Sequence, residues 1–426
     1  MLMSPRKQYQ LFLNEVKHNM ISKKNAILGA MILVLLTSVI TFTVTNVFAL
    51  SVGEKVIITK KNYDYYKDIS KTYNKVLSLK DFIETNYYKE VDESKIEDGI
   101  IKGLFQSLED PYSVYMNKKE FEDFMTHTKG TYGGIGVIMT PGEDGYITVV
   151  SPIEDTPGER AGLKSGDKIL KVNGKEYSGE KLDEAVAIIK GDPGTKVTLS
   201  VYREGKMQPF DVEIVREEIR LKTVKSRMLE NDLGYIRVTM FDEMTAEDFK
   251  TQLTELQKKN MKGLVIDLRN NPGGLLSECV KIADELLGKT VVVYTQDRSG
   301  EREYEYSNAG KVEVPYVILV NKGSASASEI LSGAVKDTKS GTLIGTTTFG
   351  KGLVQRVKPL EDGTGFKLTT SQYFTPNGTY IHGKGIEPDI VVEAPEEETV
   401  QEEVKDADDV QLQKGIEVLR QKMANQ

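Results

Sequence analysis

The sequence predicts an α+β protein of several domains: an N-terminal transmembrane helix, a helical segment, a glycine-punctuated module of short strands, and a mixed α/β core. Three observations lead there. The 426 residues exceed what one hydrophobic core normally organises, with an ordinary globular balance of 39% hydrophobic and 28% charged residues. One stretch, Asn25 to Gly53, holds no charged residue. After Gly130 the apolar spacing changes from helical to strand-like, and after Arg216 strands and helices alternate. A net charge of −8 excludes a nucleic-acid partner, because phosphate binding needs a basic face. The single cysteine, Cys279, excludes an intramolecular disulfide, and its apolar-periodic surroundings make it a small buried hydrophobe.

Ala26 to Leu50 is mostly Ile, Leu, Val, Ala and Phe. That is long enough against the roughly 20 apolar residues of a bilayer crossing. Lys17, Lys23 and Lys24 precede it and no basic cluster follows, so residues 1–24 are expected in the cytoplasm, 25–50 in the membrane and the rest outside. A cleaved signal peptide is the competing reading, with Val47-Phe48-Ala49 as its cleavage site. The apolar run exceeds a signal core of about 7–15 residues, which favours the anchor. Either reading exports the remainder. The absence of cysteine pairs then points to a single-pass protein of a bacterial cell membrane, its main part extracytoplasmic.

Residues 60–128 read as helical, with Leu77, Phe82, Ile83, Ile96, Ile100, Leu104 and Phe105 near helical spacing. Asp110-Pro111 breaks the run, and Tyr112 to Met116 follows as an irregular aromatic stretch. From Gly130 come the segments Gly133-Gly134-Ile135-Gly136-Val137-Ile138, Tyr146-Ile147-Thr148-Val149-Val150, Pro157-Gly158-Glu159-Arg160-Ala161-Gly162-Leu163 and Gly166-Asp167-Lys168-Ile169-Leu170-Lys171-Val172-Asn173-Gly174. A helix with Leu182, Ala185, Val186 and Ile189 precedes the strand Lys196 to Arg203. In this order the segments resemble a PDZ domain of the bacterial protease type, spanning 129–216. The resemblance implies that the loop Gly134-Ile135-Gly136-Val137 offers backbone N–H groups to a peptide's terminal carboxylate while the peptide adds as an extra strand. Glycines let the backbone curl so that several donors converge on an anion. Taken alone, Gly-Gly-Ile-Gly would be a plain turn. Arg203, ending the last strand, is a surface arginine or a contact to ligand or core.

Residues 217–394 form the α/β core. Strands are expected at Leu233–Val238, Gly263–Leu268, Thr290–Tyr294, Pro315–Val320 and Thr342–Gly345. Helices are expected at Thr245–Lys259, capped by Thr245 with Asp248 three residues on, at Leu275–Leu287 and at Ser326–Lys336. A hairpin around Asp362-Gly363 joins Leu353–Val357 to Phe366–Ser371. The strands are too scattered for a plain doubly wound sheet. Residues 395–426 hold an acidic, solvated linker and a short helix marked by Leu412, Ile416 and Leu419, which packs on its own domain or on a second copy.

Three core segments carry chemistry. Val317 to Leu331 is a buried strand, a Gly turn and a helix start among serines 324, 326 and 328. A serine there sits where free N–H groups favour developing negative charge, which suits a nucleophile. Ser326-x-x-Glu329 is equally a capping-box pattern. Thr348 to Gln355 sets Lys351 between two glycines. A lysine with its ordinary pKa of about 10.4 becomes a base only when burial lowers it. Gln355, four positions on, fixes the lone pair if the chain curls at Gly352; a solvated loop lysine is the alternative. Val265 to Gly274 is a strand ending in a polar, Gly-rich turn, able to aim N–H groups at an oxyanion.

Together with Asp110 to Met116, Tyr373 to Gly378 and Gly383 to Asp389, these segments resemble the carboxy-terminal processing peptidases of the S41 serine protease family, from about Leu79 to Leu419. The resemblance implies Ser326 as nucleophile, Lys351 as general base and Gln355 as its orienting residue. It implies an oxyanion hole from the backbone N–H groups of Ala327 and Gly273, with Gly274 as the alternative. Asp337 falls at a supporting carboxylate position, and His382 where relatives often carry glutamine. It also implies a homodimer through the helical terminal pieces.

The histidine count argues the same way. Only His18, His127 and His382 occur, none in a segment resembling a strand-end catalytic loop. There is no His-x-x-x-His and no cysteine cluster, so neither a metal nor another cofactor is expected. The expected function is an exported serine endopeptidase that cuts protein substrates with free, nonpolar C-termini. A membrane-anchored binding protein is the alternative, and it predicts a broken Ser–Lys pair.

Overall fold

The computed structural model describes residues 6, 8–10, 22–46, 49–52, 55–308, 310, 312–394 and 405–425. Lys17 and His18, residues Val47 and Phe48 of the alternative cleavage site, and 395–404 of the acidic linker lie outside the described residues. The chain divides into two units, Met1–Glu97 and Asp98–Gln426.

In the first unit, helix α1 (Lys23–Asn46) contains a 20-residue stretch, Lys23–Phe42, long and apolar enough to cross a membrane, a test that a signal sequence also passes. Helix α2 (Lys60–Asn86) is capped by the Thr59 hydroxyl, which accepts the Asn62 N–H, and it buries no residue. Helix α3 (Glu93–Gln106) runs across the division between the units.

In the second unit, the stretch expected to be irregular holds a strand, β1 (Val114–Met116), paired with residues Gly365–Lys367. Helix α4 (Lys118–Lys129) opens on an Asn117/Glu120 capping box and closes on left-handed Gly130.

The glycine-rich module follows. Its antiparallel sheet has the order β7-β6-β5-β4-β3, where β3 is Val137–Pro141, β4 Ile147–Pro152, β5 Lys168–Val172, β6 Lys196–Tyr202 and β7 Phe210–Val215. Helix α5 (Leu182–Ile189) buries Ala185 and Ile189 against Ile147, Val149, Ile169, Leu199 and Val201, a separate core. Strand β3 stays at the sheet edge, open to an added strand. Strand β2 (Thr131–Gly134) pairs instead with β8 (Glu217–Arg220), so one two-stranded ribbon carries the chain into and out of the module. Arg203 neither lies free nor reaches the core. Its guanidinium bonds both oxygens of buried Asp167 (2.6 and 2.7 Å) and the Gly162 carbonyl.

The core has two sheets. The first has the order β9-β10-β11-β14-β15-β18, with β9 Val224–Leu229, β10 Leu233–Val238, β11 Gly263–Asp267, β14 Tyr316–Val320, β15 Thr342–Gly345 and β18 Ile390–Val391. All pairs but β9/β10 are parallel, and β11 and β14 are buried at every position, as strands covered on both faces must be. Helices α6 (Thr245–Lys258), α7 (Leu276–Leu286) and α8 (Ala327–Thr338) cover one face, with Cys279 fully buried among them. Helix α9 (Val410–Ala424) covers the other, setting Leu412, Ile416 and Leu419 against Val265, Val317 and Leu319. The apolar stripe of α9 is therefore buried on its own domain. The second sheet is antiparallel: β12 (Thr290–Asp297) pairs with β13 (Arg302–Ser307) and β17 (Gly365–Phe374), and β17 with β16 (Leu353–Pro359) and β1. Thr245 is not the cap of α6. Its hydroxyl is buried between Asp242 and Thr223, and Asp242 takes the Met244 N–H.

Candidate active site

Strand β14 ends, the chain turns through Asn321 to Ala325, and α8 begins at Ala327. Ser326 stands at the corner with φ 55° and ψ −114°. An ordinary N-cap is extended, whereas a serine in this sparsely populated region sits on a strained elbow that holds its hydroxyl out. Ser324 and Ser328 are fully buried and donate to the carbonyls of Leu268 and Asn271, so of the three serines only Ser326 is partly exposed. The Tyr373 hydroxyl, from β17, donates to the Ser326 carbonyl at 3.2 Å.

Glu329 answers the capping-box pattern in an unexpected way. Its carboxylate, 0% exposed, accepts the Ser326 N–H at 2.9 Å. It also accepts the Lys351 N–H (2.8 Å), the Gly350 N–H (2.7 Å) and the Thr348 hydroxyl (2.6 Å). Four donors fill both oxygens, so each carboxylate oxygen accepts twice. The carboxylate joins the backbone of the Ser326 elbow to the backbone of the Lys351 loop.

The Lys351 amine lies 4.7 Å from the Tyr112 ring centre. Burial, reinforced by the charge of Lys367, holds its pKa below the ordinary lysine value, while Asp110 and Glu329 pull the other way. Among the described residues no hydrogen bond joins its Nζ to Ser326 or Gln355. Gln355 Nε2 instead donates to Thr369 Oγ1 at 3.2 Å. A cavity of about 630 Å³ opens beside Tyr112, with Asp110, Ser113, Leu353, Thr369 and His382 in its wall. His382 is thus closer to the site than its place in the sequence implied. A Cβ on Gly352 would come within 2.8 Å of its backbone nitrogen, and its buried Nδ1 has no partner.

The backbone N–H groups around Ser326 are not equally committed. The Ala327 N–H, at the first position of α8, donates to nothing among the described residues. The Gly273 N–H is taken by Asn271 Oδ1 (2.9 Å). The Gly273 carbonyl accepts the Phe241 N–H (3.0 Å), and across this trans peptide the Gly274 N–H points away from Phe241 and is uncommitted. Gly273, at φ 101°, has to be glycine: a Cβ would lie 2.8 Å from Ser326 Cβ and 2.9 Å from the Ala327 nitrogen, filling the space in front of that donor.

In the glycine-rich module, the Ile135 and Gly136 carbonyls accept from Gly158 and Ile153. The N–H groups of Ile135 and Gly136 have no acceptor among the described residues, and they lie beside the open edge β3. Asp337, some three turns along α8 from Ser326, accepts the Asn377 N–H and pins that turn. Sequence reasoning missed Glu329 as more than a cap, together with Tyr112, Thr348, Thr369 and Tyr373. Their positions in segments rich in family-like motifs were the available signal.

Comparison with known proteins fits this geometry. Residues 232–392 match peptidase family S41, 133–214 a PDZ domain, and 34–120 the N-terminal domain of the activating protease CtpB. The chain is 41% identical to the carboxy-terminal-processing protease of Bartonella bacilliformis over 364 residues, covering 83% of this chain and 82% of the other. It is 40% identical to the carboxy-terminal processing protease CtpA of Bacillus subtilis over 316 residues, 74% and 67% of the two chains. A probable CtpA-like serine protease of Staphylococcus aureus is 37% identical over 362 residues, 84% and 72%.

Proposed function

The chain belongs to peptidase family S41, among the carboxy-terminal processing serine proteases, and from that premise we propose an exported, membrane-anchored endopeptidase that cuts protein tails with a Ser326–Lys351 pair. The observation that carries this reading is the Glu329 carboxylate, which ties the strained Ser326 elbow and the partly buried Lys351 loop to one acceptor. The Ser326 hydroxyl attacks the scissile carbonyl as its proton passes to the neutral Lys351 amine. The oxyanion is met by the Ala327 N–H and by a glycine N–H of the 273–274 pair, of which Gly274 has the uncommitted donor. The lysine then returns the proton to the leaving amine, and water, deprotonated by the same lysine, hydrolyses the acyl-enzyme. Gln355 orients the amine once Lys351 swings from the Tyr112 ring.

In this reading residues 129–216 capture the substrate. The unpaired N–H groups of Ile135 and Gly136 receive the terminal carboxylate, with Gly134 and Val137 flanking them and the tail lying along β3. Residues 217–394 then form the protease core. Helix α1 supplies the anchor, supported by its apolar 20-residue stretch. A homodimer through the N-terminal helices is supported by α2, which leaves Tyr65, Leu77, Leu79 and Phe82 exposed.

The test is cleavage of an unstructured reporter with a nonpolar C-terminal tail by the detergent-solubilised chain, beside Ser326→Ala and Lys351→Ala. Cleavage that both variants lose supports the pair. Cleavage that survives either substitution removes that residue from the mechanism. An amidated tail should raise KM and leave kcat alone.

A further inference from the structure

The hairpin of β16 and β17 is irregular at one place. Val354 pairs with Ser371, yet Gln355 pairs with Thr369, so Thr370 is unopposed. This bulge has a visible cost, because the buried Thr370 hydroxyl has no partner. Its effect is to set Gln355 opposite Thr369 instead of Thr370, whose side chain points to the other face of the strand.

Thr369 is fixed from its far side. Its N–H donates to Ser113 Oγ (2.9 Å), and the Ser113 hydroxyl donates to Asp110 Oδ2 (2.6 Å). Asp110 also takes the Tyr112 N–H on Oδ1 (3.0 Å). Burial works against the Asp110 charge, but the hydroxyls of Ser113 and Thr369 and the Tyr112 N–H outweigh it and hold the carboxyl below its ordinary range. The Ser113 hydroxyl gives its one proton to the Asp110 carboxylate, which only accepts, and its oxygen is then free to hold the Thr369 N–H. Held in this place, the Thr369 hydroxyl accepts the NH2 group of the Gln355 side-chain amide at 3.2 Å. The Gln355 oxygen is then left at the other end and accepts no hydrogen bond among the described residues.

We propose that Thr369, anchored through Ser113 on Asp110, is a positioning residue that locks the Gln355 amide with its oxygen turned toward the amine of Lys351. This rests on Gln355 being the group that orients Lys351. The chemistry makes the direction matter. A neutral amine has two N–H bonds and one lone pair. If the Gln355 oxygen accepts one N–H, the lone pair stays free for the Ser326 proton. A flipped amide donates to that lone pair and competes with Ser326 for it.

The experiment uses the full chain with the reporter substrate and four variants: Gln355→Ala, Thr369→Val, Thr369→Ser and the double Gln355→Ala/Thr369→Val. Thr369→Val keeps the shape and should lower kcat roughly 10- to 100-fold, the usual range for a group acting through another, with KM unchanged. Thr369→Ser should restore kcat. The double variant should be no slower than Gln355→Ala, because Thr369 acts only through Gln355. An additive loss in the double variant, or parental kcat for Thr369→Val beside an impaired Gln355→Ala, overturns the proposal. Parental kcat for Gln355→Ala instead overturns the underlying role of Gln355. Thr369→Ala, which lacks the valine methyls, is read in the same way should Thr369→Val lose its fold.

Discussion

Replacing Glu329 by glutamine should damage both stability and activity, although it changes the side chain by one atom. Two donors point at each carboxylate oxygen: Thr348 and Gly350 at Oε1, Ser326 and Lys351 at Oε2. Whichever way the amide turns, its NH2 group faces two donors, so two of the four bonds are lost in a fully buried place. At about 1.5–3 kcal/mol for a hydrogen bond to a charged group, the loss is roughly 3–6 kcal/mol. The nearer figure is about 3: the Thr348 hydroxyl, which also holds the Ile386 N–H, can turn to meet the amide NH2 only by giving up its own acceptor. For a domain of this size that lowers the unfolding midpoint by roughly 6–12 °C. Calorimetry or circular dichroism reads the midpoint, and reporter cleavage well below it reads kcat. The pH profile adds a sign. As the proposed base Lys351 has to be neutral, so kcat/KM should rise with pH through its pKa. The Glu329 charge raises that pKa; without it the rise moves to lower pH. A variant that melts with the parent, turns over at the parental rate and titrates at the same pH would refute the clamp.

Three further outcomes are expected. In the parent enzyme the rise of kcat/KM should be centred below the ordinary lysine value of about 10.4, because burial disfavours the charged amine, and stopped-time cleavage across pH checks it. Gly273→Ala should lower kcat roughly 10²- to 10³-fold, since its Cβ would occupy the space before the Ala327 N–H, while capture of a fluorescent nonpolar peptide is retained. Asp409→Ala should destabilise the core by about 3 kcal/mol in denaturant titration: Arg269 holds both Asp409 oxygens (2.9 and 2.7 Å), and buried Asp267 then remains its one carboxylate partner.

Much of the fold was legible because periodicity reports burial. The strands β10, β11, β14 and β15, the helices α6 to α8, and the hairpin at Asp362-Gly363 all carry continuous apolar runs, helical stripes or turn residues. The elements that escaped lack such a signature. Strand β13, Arg302-Glu303-Tyr304-Glu305-Tyr306-Ser307, is exposed at all but its last position and is a strand only because β12 offers it an edge. Strand β1 exists because β17 pairs with it, about 250 residues away in sequence. The α9 stripe was plain in the sequence, but whether it met its own sheet or a second copy was not, since a stripe says that it must be covered and not by what.

The sequence by itself determined the family, the order of the pieces and the segments that hold Ser326, Lys351 and the glycine pair, because each is written in contiguous residues with a local physical reason. The tertiary structure alone decided how those segments meet. Glu329 looks like half of a capping box until the 348–351 loop folds onto it, and Gln355 faces Thr369 through a bulge that no local pattern encodes. Of the two glycines, Gly274 keeps the uncommitted N–H because Asn271 and Phe241 take the polar groups of Gly273. Those choices depend on which donors and acceptors are left unpaired once distant strands have packed, and that is a property of the folded contacts.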